Sequence, residues 1–319
     1  FSLVDLEASA AASTYSVLDA NGDGLDDLYL GRAIDEGPSE ERGAADQLLL
    51  QQPDGSMVDV SATHLPHPFN SDNELEGLMT HGSCAGDVDG DGDDDVVISA
   101  LGSQHLLLNT GSGVFVDGSA LLPQHELANV DWKFSLSWCA IGDLDQDSRM
   151  DIVFGSNNQE GSSTATGKIV DTSHILVFGT EDGTFAYTED SALPTGIGQI
   201  ATLDIELFDF NRDECVDIAV QAIEPSYEKG RVVVYRGACS RDFSVEFVSD
   251  FSPLANFEIE IVDINSDGFD DIVTYHARGT ARGNVVLIND NGSGHFQRRP
   301  PRQGDFSAVP AHVAAKWVP

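Results

Sequence analysis

The chain has 319 residues and a mass of 34.1 kDa, and its 41% of apolar residues is enough to bury a sizeable core. Its net charge of −38 comes from 54 acidic and 16 basic residues, which excludes nucleic-acid partners and makes cations the natural ones. No run of 18 apolar residues occurs, so no transmembrane helix and no direct membrane insertion are predicted. The chain begins at Phe1 rather than Met, which predicts a processed or trimmed start.

Five Asp-rich windows follow one another along the chain, each on the pattern D-x-[DN]-x-D-x-x-x-D. They begin at Asp19, Asp87, Asp143, Asp209 and Asp263, at intervals of 68, 56, 66 and 54 residues. Of the 37 Asp residues, 21 fall inside these nine-residue windows, whereas adaptation to salt would scatter acidic residues over the whole surface. The regular spacing therefore predicts a tandem repeat in which the carboxylates have a local task.

Each window places oxygen donors at the spacing that a calcium loop needs. Positions 1, 3, 5 and 9 offer side-chain oxygens, Gly at position 6 permits the sharp turn, and position 7 offers a backbone carbonyl. The glutamate that an EF-hand has at position 12 is missing, and the flanking residues are typical of strands. Up to five structural Ca²⁺ ions are therefore predicted. Their ligands would be Asp19, Asn21, Asp23, Leu25 and Asp27; Asp87, Asp89, Asp91, Asp93 and Asp95; Asp143, Asp145, Asp147, Arg149 and Asp151; Asp209, Asn211, Asp213, Cys215 and Asp217; and Asp263, Asn265, Asp267, Phe269 and Asp271.

The five loops differ at the turn. Gly24, Gly92 and Gly268 stand at position 6 of the first, second and fifth loops, but Ser148 and Glu214 stand there in the third and fourth. A left-handed backbone costs a non-glycine residue about 1 kcal/mol. The fourth loop is therefore predicted to be the weakest calcium site.

In chain order, the units read as four short strands each, shown best by the second unit at 78–85, 96–100, 105–109 and 113–117. This pattern predicts an all-β fold, a β-propeller of four-stranded antiparallel blades. The predicted blades are 13–77, 78–133, 134–199, 200–255 and 256–305, with partial strands at 1–12 and 306–319. A five-bladed ring with swapped ends, a broken sixth blade and a fragment of a larger six- or seven-bladed ring all remain open.

The windows and the segment AADQLLLQQPDGSMVDVSA at 44–62 resemble FG-GAP/VCBS repeats, the calcium-binding blades of integrin α-subunit propellers and of many secreted proteins. The resemblance covers nearly the whole chain, and the Asp loop is its specific part. It implies metal loops between the first and second strands of each blade, and an extracellular, cell-surface or periplasmic location. The complete FG-GAP signature is degenerate here, so an integrin-like adhesive role is not implied.

Four cysteines occur without a C-x-x-C pair, which excludes zinc and thioredoxin-like sites. Cys215 lies in the fourth loop and Cys239 in the next hairpin, at the same edge of a blade, so a disulfide between them is predicted. Cys84 and Cys139 stand three and four residues before their first Asp. That offset puts them on opposite strand faces, so buried free thiols are predicted.

The remaining signals are weaker. His81, Trp138 and His276 are predicted to pack in the core or at the rim, with a place in the central channel as the alternative. The polar segments 32–46 and 156–173 are predicted to be solvated loops, with ligand contact as the alternative.

The predicted function is a secreted or cell-surface, calcium-stabilised module for binding, adhesion or assembly with a protein or glycan partner. The alternative is a lectin with sites between blades, although Trp132, Trp138 and Trp317 do not recur at the repeat period. A calcium-dependent polysaccharide lyase or hydrolase is the third hypothesis. No nucleophile or zinc motif occurs and basic residues are scarce, so no enzyme activity is predicted. The partner and the oligomeric state stay open.

Overall fold

The computed structural model describes residues 12–32, 45–69, 78, 80–100, 103–123, 136–156, 162–163, 169–170, 174–187, 193–194, 201–223, 229–251, 258–275 and 285–300. His276, most of the segments 32–46 and 156–173, and nearly all of the two predicted end strands lie outside these residues. The described part of the chain is almost entirely β-structure.

Five four-stranded antiparallel sheets follow in chain order, and we number them as blades 1 to 5. Blade 1 contains β1 (Ala12–Leu18), β2 (Asp27–Arg32), β3 (Gln47–Gln51) and β4 (Met57–Asp59). Blade 2 contains β5 (Thr80–Gly86), β6 (Asp95–Ala100), β7 (Ser103–Asn109) and β8 (Phe115–Asp117). Blade 3 contains β9 (Leu136–Gly142), β10 (Asp151–Ser156), β13 (His174–Gly179) and β14 (Phe185–Ala186). Blade 4 contains β15 (Ala201–Phe208), β16 (Asp217–Ile223), β17 (Gly230–Gly237) and β18 (Phe243–Phe251). Blade 5 contains β19 (Glu258–Val262), β20 (Asp271–Tyr275), β21 (Val285–Asn289) and β22 (Phe296–Arg299).

Smaller elements lie between these strands. Helix α1 (Ser61–His64) follows blade 1, a 3₁₀ turn (Ser119–Leu121) follows blade 2, and blade 3 carries a short hairpin of β11 (Ser162–Ser163) and β12 (Ile169–Val170). Within the described residues, no helix has the length and apolar character needed to cross a bilayer.

The apolar core lies between successive blades. The second strands of blades 2, 3 and 4 alternate their side chains, as a strand does, so that each face meets a different neighbouring blade. In β6, Val96 and Ile98 pack with blade 1 residues while Val97 packs with blade 3 residues. In β16, Ile218 packs toward blade 3 and Ala219 toward blade 5. Near-continuous Val and Ile runs are therefore needed in these strands, because both faces are buried.

The first strands of the blades pack side by side in chain order, β1 on β5, β5 on β9, β9 on β15 and β15 on β19. Four-stranded antiparallel sheets stacked face to face, with their first strands adjacent, form a β-propeller. The predicted fold class is confirmed. The residue boundaries of the blades stay a prediction.

Candidate metal centres

All five Asp windows form loops between the first and second strands of a blade, which we call loops 1 to 5. Position 1 organises each loop by accepting two backbone N–H groups, one from position 5 at 3.0–3.1 Å and one from position 6 at 2.8–3.0 Å. The position-1 residues are Asp19, Asp87, Asp143, Asp209 and Asp263. The same pair of bonds recurs five times, so the sequence repeat is also a structural repeat.

Positions 3 and 5 complete the inner turn. The side-chain Oδ1 at position 3 accepts the N–H of position 5 at 2.8–3.2 Å, and Oδ1 at position 5 accepts the N–H of position 7 at 2.9–3.0 Å. The position-7 residues are Leu25, Asp93, Arg149, Cys215 and Phe269. Their N–H groups are engaged in this way, while ligation by their carbonyl oxygens stays a prediction.

Position 9 is a buried carboxylate that joins three parts of its blade. Its Oδ2 accepts the N–H of position 2 at 2.8–3.0 Å, and its Oδ1 accepts an N–H at the end of the third strand at 2.7–2.9 Å. The five residues, each 0% exposed, are Asp27, Asp95, Asp151, Asp217 and Asp271. Position 9 is therefore a structural anchor as well as a candidate ligand.

Burial raises the pKa of these anchors, and the other loop carboxylates add to the rise while the backbone donors oppose it. The pKa of Asp95, Asp151 and Asp217 reaches about 7, and that of Asp271 about 6. The loops thus hold carboxylates that repel one another, and a divalent cation would offset this repulsion.

In loops 2 and 3, position 3 is also Asp, and three carboxylates come close together. Oxygens of Asp87, Asp89 and Asp95 lie within 4.8 Å of one another, and so do those of Asp143, Asp145 and Asp151. Two oxygens at Ca²⁺–O distances of 2.3–2.6 Å can lie up to about 5 Å apart across the ion. These two clusters could therefore hold a metal ion.

The predicted turn position 6 is left-handed in every loop, and so is position 4. Positive φ occurs at position 4 as well as position 6, at Gly22 and Gly24, Gly90 and Gly92, Gln146 and Ser148, Arg212 and Glu214, and Ser266 and Gly268. The sequence pattern indicated position 6 alone, because position 4 is glycine in just two loops.

Two disulfides occur in the structure, and no cysteine is free. The bond between Cys215 and Cys239 is the predicted pair and tethers loop 4 to the β17–β18 turn. The prediction of free thiols at Cys84 and Cys139 is wrong, because these residues form the second disulfide. They do lie on opposite faces of their own sheets, but stacked blades present opposite faces to each other. Their different distances from the first Asp of each loop therefore place the two sulfurs on facing surfaces of blades 2 and 3.

Two of the other singled-out residues, His81 and Trp138, lie on described first strands. Burial lowers the pKa of His81, which is half-buried on β5. Trp138 packs at the edge of the core between blades 3 and 4.

Two asparagines that the sequence analysis missed link successive blades. Asn109 Nδ2 donates to the carbonyl of Ala20 in loop 1 at 2.8 Å, and Asn289 Nδ2 donates to that of Phe210 in loop 4 at 2.7 Å. Their signal was present in the sequence, since each asparagine ends an apolar third strand before a glycine-containing turn.

The sheets and loops together define a β-propeller with a repeated acidic loop in each blade. Residues 19–98 and 87–154 match the FG-GAP-like repeat family. Residues 19–154 therefore carry FG-GAP-like repeats, and over this part of the chain the resemblance seen in the sequence is confirmed. A search of curated proteins finds no match.

Similar folds occur among solved structures. A lectin from Agrocybe aegerita, solved for its recognition of non-reducing terminal N-acetylglucosamine, aligns with a TM-score of 0.55 at 16% identity over 91% of this chain and 66% of the lectin chain. This chain thus spans just under two thirds of the lectin's length, and the likeness supports the fold alone.

Two further structures are more distant. The Dos1 propeller aligns with a TM-score of 0.46 at 10% identity, over 91% of this chain and 74% of its own. The V. cholerae biofilm matrix protein Bap1 aligns with a TM-score of 0.37 at 12% identity, over 79% and 42%. TM-scores of 0.46 and 0.37 are too low to support a conclusion about this chain.

Proposed function

We propose that the protein is a calcium-stabilised β-propeller that acts as a binding module for a protein or glycan outside the cytoplasm. The observation that carries the proposal is the hydrogen-bond scaffold shared by the five loops. In loops 2 and 3 this scaffold gathers three carboxylates around one point, as an oxygen-liganded cation requires.

The side-chain ligands would be those at positions 1, 3, 5 and 9 of each loop. Calcium, when bound, supplies the positive charge that offsets repulsion among these carboxylates. The chain itself fixes the ligands beforehand, because backbone N–H groups already orient the carboxylate oxygens. Loop carboxylates engaged in this way support a binding role rather than a catalytic one.

The two disulfides support an oxidising compartment, since disulfides persist in secreted, periplasmic or cell-surface proteins. Extracellular calcium is millimolar, a range in which modest calcium loops are occupied. An extracellular, cell-surface or periplasmic location is therefore part of the proposal.

Calcium titration of the chelated protein by isothermal calorimetry tests the metal part of the proposal. We expect saturable heat with calcium and a much weaker response to magnesium, because the loops offer many flexible oxygens rather than a tight octahedron. A titration with no calcium heat would contradict the proposal.

A lectin is the second candidate, favoured by the fold likeness to the N-acetylglucosamine-recognising lectin. Labelled protein on a glycan array, with calcium and with chelator, tests it. Calcium-dependent binding to one glycan class is the expected result. The absence of any glycan signal in calcium would overturn the lectin and leave protein partners to be screened.

A further inference from the structure

An arginine from the next blade lies on loop 3. Arg241, in the turn between β17 and β18 of blade 4, donates from Nε to Asp145 Oδ2 at 2.8 Å. Its guanidinium also lies over the ring of Phe178, with Cζ 4.3 Å from the ring centroid. The Asp145 side chain is 9% exposed, so the pair is better shielded than an ordinary surface ion pair.

Loop 4 has the same arrangement within its own blade. Arg236, near the end of β17, donates from Nη2 to Asp213 Oδ2 at 3.0 Å. Asp145 and Asp213 stand at positions 3 and 5, which are both candidate ligands. In each loop, an oxygen of a candidate ligand is thus already bonded to a cation of the chain. Loop 3 has a second such pair, between Arg149 and Asp147.

The other loops differ. In loops 1 and 5, Oδ2 of position 5 accepts only from the asparagine amide of position 3 among the described residues, at 3.1 Å in Asp23 and 2.9 Å in Asp267. Loop 4 has the same amide bond at 2.8 Å, so Arg236 is a second donor to Asp213 Oδ2. Loop 2 has Asp at positions 1, 3, 5, 7, 8 and 9. Between described residues, no ion pair joins an arginine to loops 1, 2 or 5. Arg212 of loop 4 lies over the ring of Phe269 in loop 5, with Cζ 4.8 Å from the ring centroid, but it pairs with no described carboxylate of that loop.

We infer that Arg241 and Arg236 compete with calcium at loops 3 and 4, so that loops 1, 2 and 5 bind the ion first. The inference rests on the proposed calcium function and goes beyond it, because it divides the five loops into a tight and a weak affinity class. A divalent ion entering loop 3 or 4 must displace the guanidinium or bear its repulsion at contact distance.

The disulfide between Cys215 and Cys239 keeps one competitor in place. Cys239 lies two residues before Arg241, and its bond to Cys215 fixes the turn that carries the arginine. Because the disulfide already restrains the backbone of this turn, pairing with Asp145 orders mainly the Arg241 side chain.

The experiment is a calcium titration of the disulfide-intact protein against a chromophoric chelator, which resolves binding steps. We expect three tight ions and two weaker ones in the wild-type protein. Arg241→Gln and Arg236→Gln should each strengthen one weak step by about tenfold or more, because a unit charge at contact distance is removed. Arg231→Gln is the matched control, since Arg231 pairs with Asp250 on the outer strand β18.

The Arg241→Lys variant separates charge from packing, and it should stay weak at loop 3 because it keeps the charge. Five equivalent ions in the wild-type protein, or glutamine variants that titrate like Arg231→Gln, would overturn the inference while leaving calcium binding intact. Absence of calcium binding in every variant would overturn the proposed function as well, so the two failures are distinguishable.

Discussion

Backbone conformation at single residues decides how much strain each loop carries. Positions 4 and 6 are left-handed in all five loops, and glycine fills both in loops 1 and 2, one in loop 5 and neither in loops 3 and 4. A non-glycine residue in this conformation costs about 1 kcal/mol. We therefore predict that Glu214→Gly, at φ 68°, raises the free energy of unfolding by about that amount in urea denaturation.

The measurement is made in chelator, so that metal affinity does not contribute. Gly92→Ala, at φ 97°, makes the reverse change and serves as the control. Its free energy of unfolding should fall by at least as much as that of Glu214→Gly rises. Equal stability of Glu214→Gly and the wild-type protein would show that the loop absorbs the strain elsewhere. The glycines at position 6 were readable from the sequence. The left-handed conformation of Arg212 and Gln146 at position 4 was not readable, because neither residue type indicates a positive φ.

The sheets are joined pairwise by contacts between their first strands, and one of these contacts is covalent. Cys84 on β5 and Cys139 on β9 close a segment with a sequence separation of 55. Their pairing could not be read from either strand alone. It depends on which face of one sheet meets which face of the next, a relation set by stacking rather than by local pattern.

We predict that the double variant Cys84→Ser and Cys139→Ser lowers the free energy of unfolding by about 4 kcal/mol, as expected for a closed loop of this length. The matched variant Cys215→Ser with Cys239→Ser, whose sequence separation is 24, should lose about 3 kcal/mol. Urea denaturation under non-reducing conditions measures both. A negligible loss at the first pair would mean that the apolar contacts alone hold blades 2 and 3 together.

Across the whole molecule, the negative charge is not confined to the metal loops. The first strands of blades 4 and 5 carry Asp204, Glu206, Glu258 and Glu260 side by side, and Asp204 Oδ2 accepts the N–H of Ile259 at 2.9 Å. Burial raises the pKa of Glu206 to about 8 and of Glu260 to about 7, with neighbouring carboxylates adding to both, and it raises that of Asp204 well above its usual value.

An acid whose pKa is raised in the folded state holds its proton more tightly there than in the unfolded chain. Stability is therefore greatest in mild acid and falls as the pH rises from about 5 to about 8. Each such carboxyl contributes to this fall up to its own folded-state pKa, about 7 for Glu260 and about 8 for Glu206. The free energy of unfolding is measured against pH in saturating calcium. Glu206→Gln should reduce its fall between about pH 5 and about pH 8, whereas Glu181→Gln, in an exposed turn, should not. Identical pH profiles for both variants would contradict the account.

At this scale the sequence predicted the repeat, the blade architecture and the position of every Asp loop, because each depends on local spacing. It did not predict the interface carboxylates or the arginines at loops 3 and 4. Arg241 lies 96 residues from Asp145, and such a contact exists only once the blades are stacked.

Thermal unfolding in millimolar calcium and again in chelator tests the central claim, that the Asp loops are structural calcium sites. An ion present at 100 times its dissociation constant adds about 2.7 kcal/mol, so several ions together should raise the midpoint by more than about 10 °C. The account predicts this loss on chelation and its full recovery when calcium is returned. An unchanged midpoint would show that the loops are held by their hydrogen bonds alone and would contradict the calcium function.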